Sequence, residues 1–127
     1  MGKFVTSLKA EQIDENYWIL TEPLVYRSDK LGFIIADQGT KTNFASVPRL
    51  PVFWLFAGGK NNPPAALHDR GYEEKKFTRL QYDNMFFQAI IDWIDKIYGS
   101  VFMRVIAYPL AAVSWLFVRV FGWNYWK

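Results

Sequence analysis

Apolar positions change their spacing near the middle of the chain, from short extended clusters to a recurrence of three and four. Phe4 to Leu8 reads as a short edge strand. Tyr17-Trp18-Ile19-Leu20-Thr21 is rich in aromatic and β-branched residues and predicts a strand. Pro23 lacks the N–H that a central strand must donate, so the chain bends there or lies at a sheet edge. Leu24-Val25-Tyr26 continues as a second extended piece, Ser28-Asp29-Lys30 supplies a turn, and Gly32 to Ala36 forms the next strand. Asp37-Gln38-Gly39 is a further turn signal. This half predicts a small antiparallel sheet of three or four short strands.

Pro48 and Pro51 push the residues before them into extended geometry, which rules out a regular helix from Val47 through Val52. Leu50 to Phe56 therefore predicts an apolar loop with a short helical turn, covering the sheet. Helices follow. Asn62 is placed to cap a helix with Pro63 and Pro64 in its first turn, where a missing N–H costs nothing, and this helix should fade near Gly71. Thr78-Arg79-Leu80-Gln81 is a capping box for a helix that runs to Tyr98 and stops at Gly99 in a left-handed conformation. Its apolar positions (Tyr82, Met85, Phe86, Ala89, Ile90, Trp93, Ile94, Ile97) line one face, with Asp83, Gln88, Asp92, Asp95 and Lys96 mostly on the others. The expected fold is α+β in one domain: residues 1–46 mainly strands, 47–61 an apolar loop, and 62–127 mainly helices, about three of them packed on the sheet.

The last segment changes the picture. Fourteen uncharged residues, Val105 to Val118, lie between Arg104 and Arg119 and contain Pro109. A membrane span needs about 20 apolar residues, so this length favours a buried amphipathic helix kinked at Pro109. A helix lying on a membrane or in a partner's groove is the alternative, with Trp115, Trp123, Tyr125 and Trp126 beside Arg119 and Lys127 as the contact residues.

Charge sharpens that alternative. The net charge of +3 is carried by residues 99–127, where Arg104, Arg119 and Lys127 stand without any acid. So local an excess marks a cationic amphipathic element and argues against a nucleic-acid face, which needs dense Lys and Arg. Aromatic residues make up 19% of the chain, well above ordinary usage, so they either crowd the core or spill onto a surface, where they mark a partner or membrane interface. Without cysteine there is no disulfide framework or thiolate metal site. Lys9 and Glu11 interrupt the N-terminal apolar stretch too early for a secretory signal. No cofactor motif is present.

Candidate chemistry concentrates between Thr42 and Asp69. His68, the single histidine, adjoins Asp69, but neighbours on a helix point about 100° apart, so both cannot face one site. Asp69 or Asp83 from another element can orient the imidazole, with Ser46 as nucleophile, in the manner of a Ser-His-Asp set. Ser46 lacks the flanking glycines that expose a nucleophile on a sharp turn. The competing reading, which the local pattern favours, has Thr42, Asn43 and Ser46 bonding backbone groups in an irregular loop while His68 bonds a carboxylate in the core. One histidine and no cysteine make a zinc site untenable.

Trp18-Ile19-Leu20-Thr21-Glu22-Pro23-Leu24-Val25-Tyr26, then Thr42-Asn43-Phe44-Ala45-Ser46-Val47-Pro48-Arg49, then Ala65-Ala66-Leu67-His68-Asp69 with Tyr72 resemble the phage and prophage proteins of domain-of-unknown-function family 1353. Thr78-Arg79, Asp83, Val118-Arg119 and Gly122 continue the pattern, so the resemblance covers roughly residues 17–127. It implies a tailed-phage or prophage origin and an unassigned activity. The family's usual acid after the first Thr is Asn43 here. Asn can cap a turn as an acid does but cannot supply its charge, which favours a structural role for the motif.

These readings lead to a small phage-encoded accessory or virion-associated protein, non-enzymatic, without cofactor, acting in the virion or host cytoplasm through contacts with a phage or host protein or as a homo-oligomer. A His/Asp-dependent hydrolase and a peripheral membrane protein acting at lysis or host takeover are the alternatives. The polar motif residues Thr42, Asn43, Ser46, Arg49, His68, Asp69, Tyr72, Arg79 and Asp83 are expected to meet as a lock between the sheet half and the helical half.

Overall fold

The structure, a computed structural model, describes residues 2–15, 17–42, 63–124 and 126. Its order is strands first and helices after, an α+β fold. The strands are β1 (Lys3–Phe4), β2 (Ala10–Gln12), β3 (Trp18–Leu20), β4 (Leu24–Ser28), β5 (Gly32–Ala36) and β6 (Lys41–Thr42). They make two three-stranded antiparallel sheets among the described residues, ordered β1-β4-β5 and β2-β3-β6, where a single small sheet was expected. The division falls at Thr21-Glu22-Pro23, where the chain bends between β3 and β4 and Pro23 has no N–H to continue a ladder.

The β4–β5 hairpin pairs Leu24 with Ala36 and Ser28 with Gly32, and Gly32 takes a φ of 77° to close the turn. Alternation then puts Leu24, Tyr26, Ile34 and Ala36 in the core and leaves Phe33 and Ile35 exposed. The apolar loop expected over residues 47–61 and the Asn62 cap lie outside the described residues.

Three helices follow: α1 (Pro63–Glu74), α2 (Arg79–Tyr98) and α3 (Val101–Phe121), with a 3-10 turn at Gly122–Asn124. Helix α1 continues beyond Gly71, where it was expected to fade. Gly71 is held there by packing: a Cβ would sit 2.3 Å from the Tyr82 ring, so only glycine lets the two helices approach. The Thr78 capping box forms, with Thr78 Oγ1 accepting from the Gln81 N–H at 3.1 Å and Gln81 Oε1 from the Thr78 N–H at 2.9 Å. Gly99 ends α2 at φ 61°, donating its N–H to the Asp95 carbonyl at 2.8 Å. Ser100 caps α3 at once, accepting from the Met103 N–H at 3.1 Å. Two residues thus turn α2 into an antiparallel helical hairpin with α3.

Helix α2 is the centre of the molecule, touching α1, α3, β1 and β4. That explains a departure from simple amphipathicity: Asp83 and Asp92, expected on outer faces, are buried, and so is Ile91. Helix α3 passes through Pro109 as one helix. It packs inward through Ala107, Ala111, Ser114 and Val118, mostly small side chains. Its outward side carries Val101, Phe102, Val105, Tyr108, Val113, Leu116 and Val120, between 46% and 73% exposed. By length and composition α3 could cross a membrane, and only 28% of its apolar window is buried.

Candidate functional site

Helical spacing brings His68 and Tyr72, four residues apart on α1, to the same side as Arg79 and Asp83, four apart on α2. Arg119 arrives from the last turn of α3. The other four side chains converge on the Asp83 carboxylate. Asp83 Oδ1 lies 2.6 Å from His68 Nε2 and accepts from the Tyr72 hydroxyl at 2.6 Å. Asp83 Oδ2 accepts from Arg119 Nη1 at 2.9 Å, and Arg79 Nε stands 3.9 Å from it. Arg79 Nε also donates to the Tyr72 hydroxyl at 3.2 Å.

Asp83 has no solvent exposure and His68 only 2%. Burial pushes the Asp83 carboxyl up, but hydrogen bonds from His68 and Tyr72, the His68 charge and the Arg119 hydrogen bond outweigh it and hold the group below the ordinary carboxylate value. An ionised carboxylate only accepts, so His68 Nε2 carries a hydrogen toward it. The Tyr72 hydroxyl is pushed up by burial, then by its bond to Asp83 and the charge there, and stays protonated. The His68 ring is further fixed between Tyr72 at 4.2 Å and Phe86 at 4.7 Å, centroid to centroid.

Arg79 has a second task. Its Nη2 donates to the carbonyls of Val118 and Arg119 at 2.7 and 2.8 Å. Carbonyls at a helix C-terminus have no partner within the helix, so a cation from α2 closes the end of α3. Gly122 permits this approach: a Cβ there would stand 2.7 Å from Tyr72 Oη and 3.3 Å from Arg79 Nη2.

Of the residues singled out in the sequence, the structure joins His68, Tyr72, Arg79, Asp83 and Arg119. Thr42 and Asp69 form a separate contact, the Thr42 hydroxyl donating to Asp69 Oδ2 and tying β6 to α1. Asn43, Ser46 and Arg49 lie outside the described residues. The candidate interface residues divide. Trp123 is 65% exposed, but Trp115 donates its indole N–H to Asn84 Oδ1 at 2.9 Å. Trp126 packs edge-on against Tyr72 at 5.1 Å, and Arg119 belongs to the Asp83 cluster. A second buried polar pair had no sequence signal beyond an acid among apolar neighbours: Tyr26 on β4 donates to Asp92 Oδ2 at 2.6 Å, with Gln88 donating to Oδ1 at 3.2 Å.

Proton transfer by the His68–Asp83 pair requires a substrate path. A pocket between β5, α1 and the start of α2 is lined by Phe33, Ile35, Arg70, Glu74, Lys76 and Phe77, among others, and neither His68 nor Asp83 lines it. Among the described residues no group of three or more His, Cys, Asp or Glu is placed to hold a metal ion. The arrangement binds three helices together through one buried charge.

No curated protein and no solved structure matches the chain. A family described as protein of unknown function (DUF1353) matches residues 18–108, which takes in β3 to β6, α1, α2 and the start of α3. Val118, Arg119 and Gly122 lie beyond that stretch, although their partners Tyr72, Arg79 and Asp83 fall within it. Matched over most of its length, the chain belongs to the DUF1353 family.

Proposed function

We propose that the chain is a non-enzymatic accessory protein of a bacteriophage or prophage, in the virion or the host cytoplasm, and that it acts by binding through the outer face of α3. The observation that carries this reading is a helix apolar on both sides. Its inner side is spent on α2, and its outer side presents Val105, Val113, Leu116 and Val120 to solvent. A helix hydrophobic all round belongs in an interior, so its exposed side needs a cover. The Asp83 cluster then serves to hold that helix. Arg119 and the carbonyls of Val118 and Arg119 are fastened to α2, which fixes the direction in which the outer face points.

The phage association rests on the motif resemblance, and two measurements test the whole. Mass spectrometry of purified virions decides between a virion component and a protein left in the host. A Leu116→Glu variant, altered only on the outer face, should fold normally and fail to support phage growth. Normal growth with that variant would refute binding through α3.

A His/Asp-dependent hydrolase is the second reading, favoured by the 2.6 Å contact of His68 Nε2 with Asp83. Both groups are buried and Asp83 already accepts from three donors. That is the state of a structural hydrogen-bonded carboxylate, so the binding reading is preferred.

A further inference from the structure

We infer that the outer face of α3 lies in the plane of an anionic lipid surface, with the helix axis along the membrane and α2 on its solvent side. This rests on the proposed reading that the outer face is the binding element, and it names the partner. The first support is the width of the face. At about 100° per residue, the exposed positions of α3 from Val101 to Val120 sweep an arc of roughly 140° centred near Val105 and Leu116, opposite Ala107, Ala111, Ser114 and Val118, with Phe121 at the helix end outside it. A helix from a second copy of the chain would cover a seam narrower than that. Phe102, 72% exposed on one flank, and Tyr108, 51% exposed on the other, would remain in water. A lipid surface covers the full arc at once.

The second support is charge. No Asp or Glu occurs in residues 99–127, which hold Arg104, Arg119 and Lys127, so no carboxylate on this helix repels anionic headgroups. Arg104 is paired with Asp95 at 2.7 Å and Arg119 with Asp83 at 2.9 Å. Both cations are thus already paired, so the charge pattern only avoids repulsion and the apolar face supplies the binding. Trp123, just past the C-terminal end of the helix, suits the headgroup level, where an amphipathic ring is at home. The helix lies flat because its inner side is packed on α2. Spanning the bilayer would strip that packing away, whereas an in-plane helix sinks its free face about 5–10 Å.

The test uses the full chain in cosedimentation with phosphatidylcholine/phosphatidylglycerol vesicles, beside Val105→Glu and Leu116→Glu. Both substitutions fall on exposed positions, and unchanged circular dichroism and melting confirm the fold. The expected result is that the parent chain pellets with vesicles and each variant binds at least about tenfold more weakly. Absence of pelleting, or equal pelleting of parent and variants, overturns the lipid inference. Light scattering separates that failure from failure of the docking reading. A dimer that Leu116→Glu makes monomeric, with no vesicle binding, assigns the face to a second copy and leaves docking through α3 intact. No vesicle binding, no self-association and normal phage growth with both variants would remove the docking reading as well.

Discussion

Asp83 on α2 and Arg119 on α3 form a 2.9 Å ion pair whose carboxylate has no contact with solvent. The same carboxylate accepts from His68 and Tyr72 on α1, so one side chain links all three helices. Deleting it leaves a half-buried guanidinium, a buried imidazole and a buried phenol without that acceptor. Breaking a buried pair from one side costs about 3–5 kcal/mol, much of it the penalty on the orphaned partners. Asp83→Ala should therefore lower the urea midpoint by an amount that corresponds to a loss of that order. A loss within that of an ordinary surface substitution would mean the cluster does not tie the helices.

Acid pH should separate the two buried aspartates. Asp83 is held below its ordinary value, so the stability it contributes is present above an unfolded-state value of 3.8 and is lost as pH falls through the folded value. Asp92 is shifted the other way: burial raises it, and hydrogen bonds from Tyr26 and Gln88 only partly offset this. Its contribution is present at low pH and is lost as pH rises from the unfolded value through the folded one. Urea unfolding across pH should show Asp83→Asn flattening the acid limb and Asp92→Asn flattening the limb above it. Identical profiles for the two variants would contradict the assignment.

Local signals carried much of the fold in the sequence. The Thr78 box and the Gly99 stop involve residues within four positions of one another, so no tertiary knowledge was needed to place α2. Strands β2 and β6 were not legible. Ala10–Gln12 and Lys41–Thr42 are short and polar, and they exist because each pairs with β3 across intervening chain. The site divides the same way. Asp83 as a partner for His68 was one of two carboxylates within reach of the imidazole. The attachment of Arg79 to the carbonyls of Val118 and Arg119 depends on how the α2–α3 hairpin brings its ends together, which spacing does not encode. Trp115 and Trp126 read as surface aromatics, but hydrogen bonding to Asn84 and packing on Tyr72 draw them inward.

Gly71 offers a test of the α1–α2 contact. Replacing a helical glycine with alanine ordinarily stabilises by about 1 kcal/mol. Here the added Cβ would stand 2.3 Å from the Tyr82 ring, and overpacking costs about 1–3 kcal/mol. Gly71→Ala should lower the melting temperature despite its better helix propensity. A higher one would mean that the ring yields freely and that α1 is not locked to α2.

Removing α3 should damage the fold as well as any docking function. A chain ending before Ser100 loses Arg119 from Asp83 and the cover that Ala107, Ala111 and Val118 give α2. Its urea transition should be broad or absent by circular dichroism. A sharp transition like that of the full chain would show α3 to be an appendage.

On the proposed function, His68 holds the fold and does no chemistry. His68→Gln tests it most directly, because a glutamine amide can still donate to Asp83 but cannot shuttle a proton at neutral pH. The measurement pairs urea unfolding of the variant with growth of the phage that the proposed function assigns to it. The expected result is a folded protein, with growth reduced no further than any loss in folded fraction. A variant as stable as the parent that fails to support growth would contradict it and return His68 to an active site.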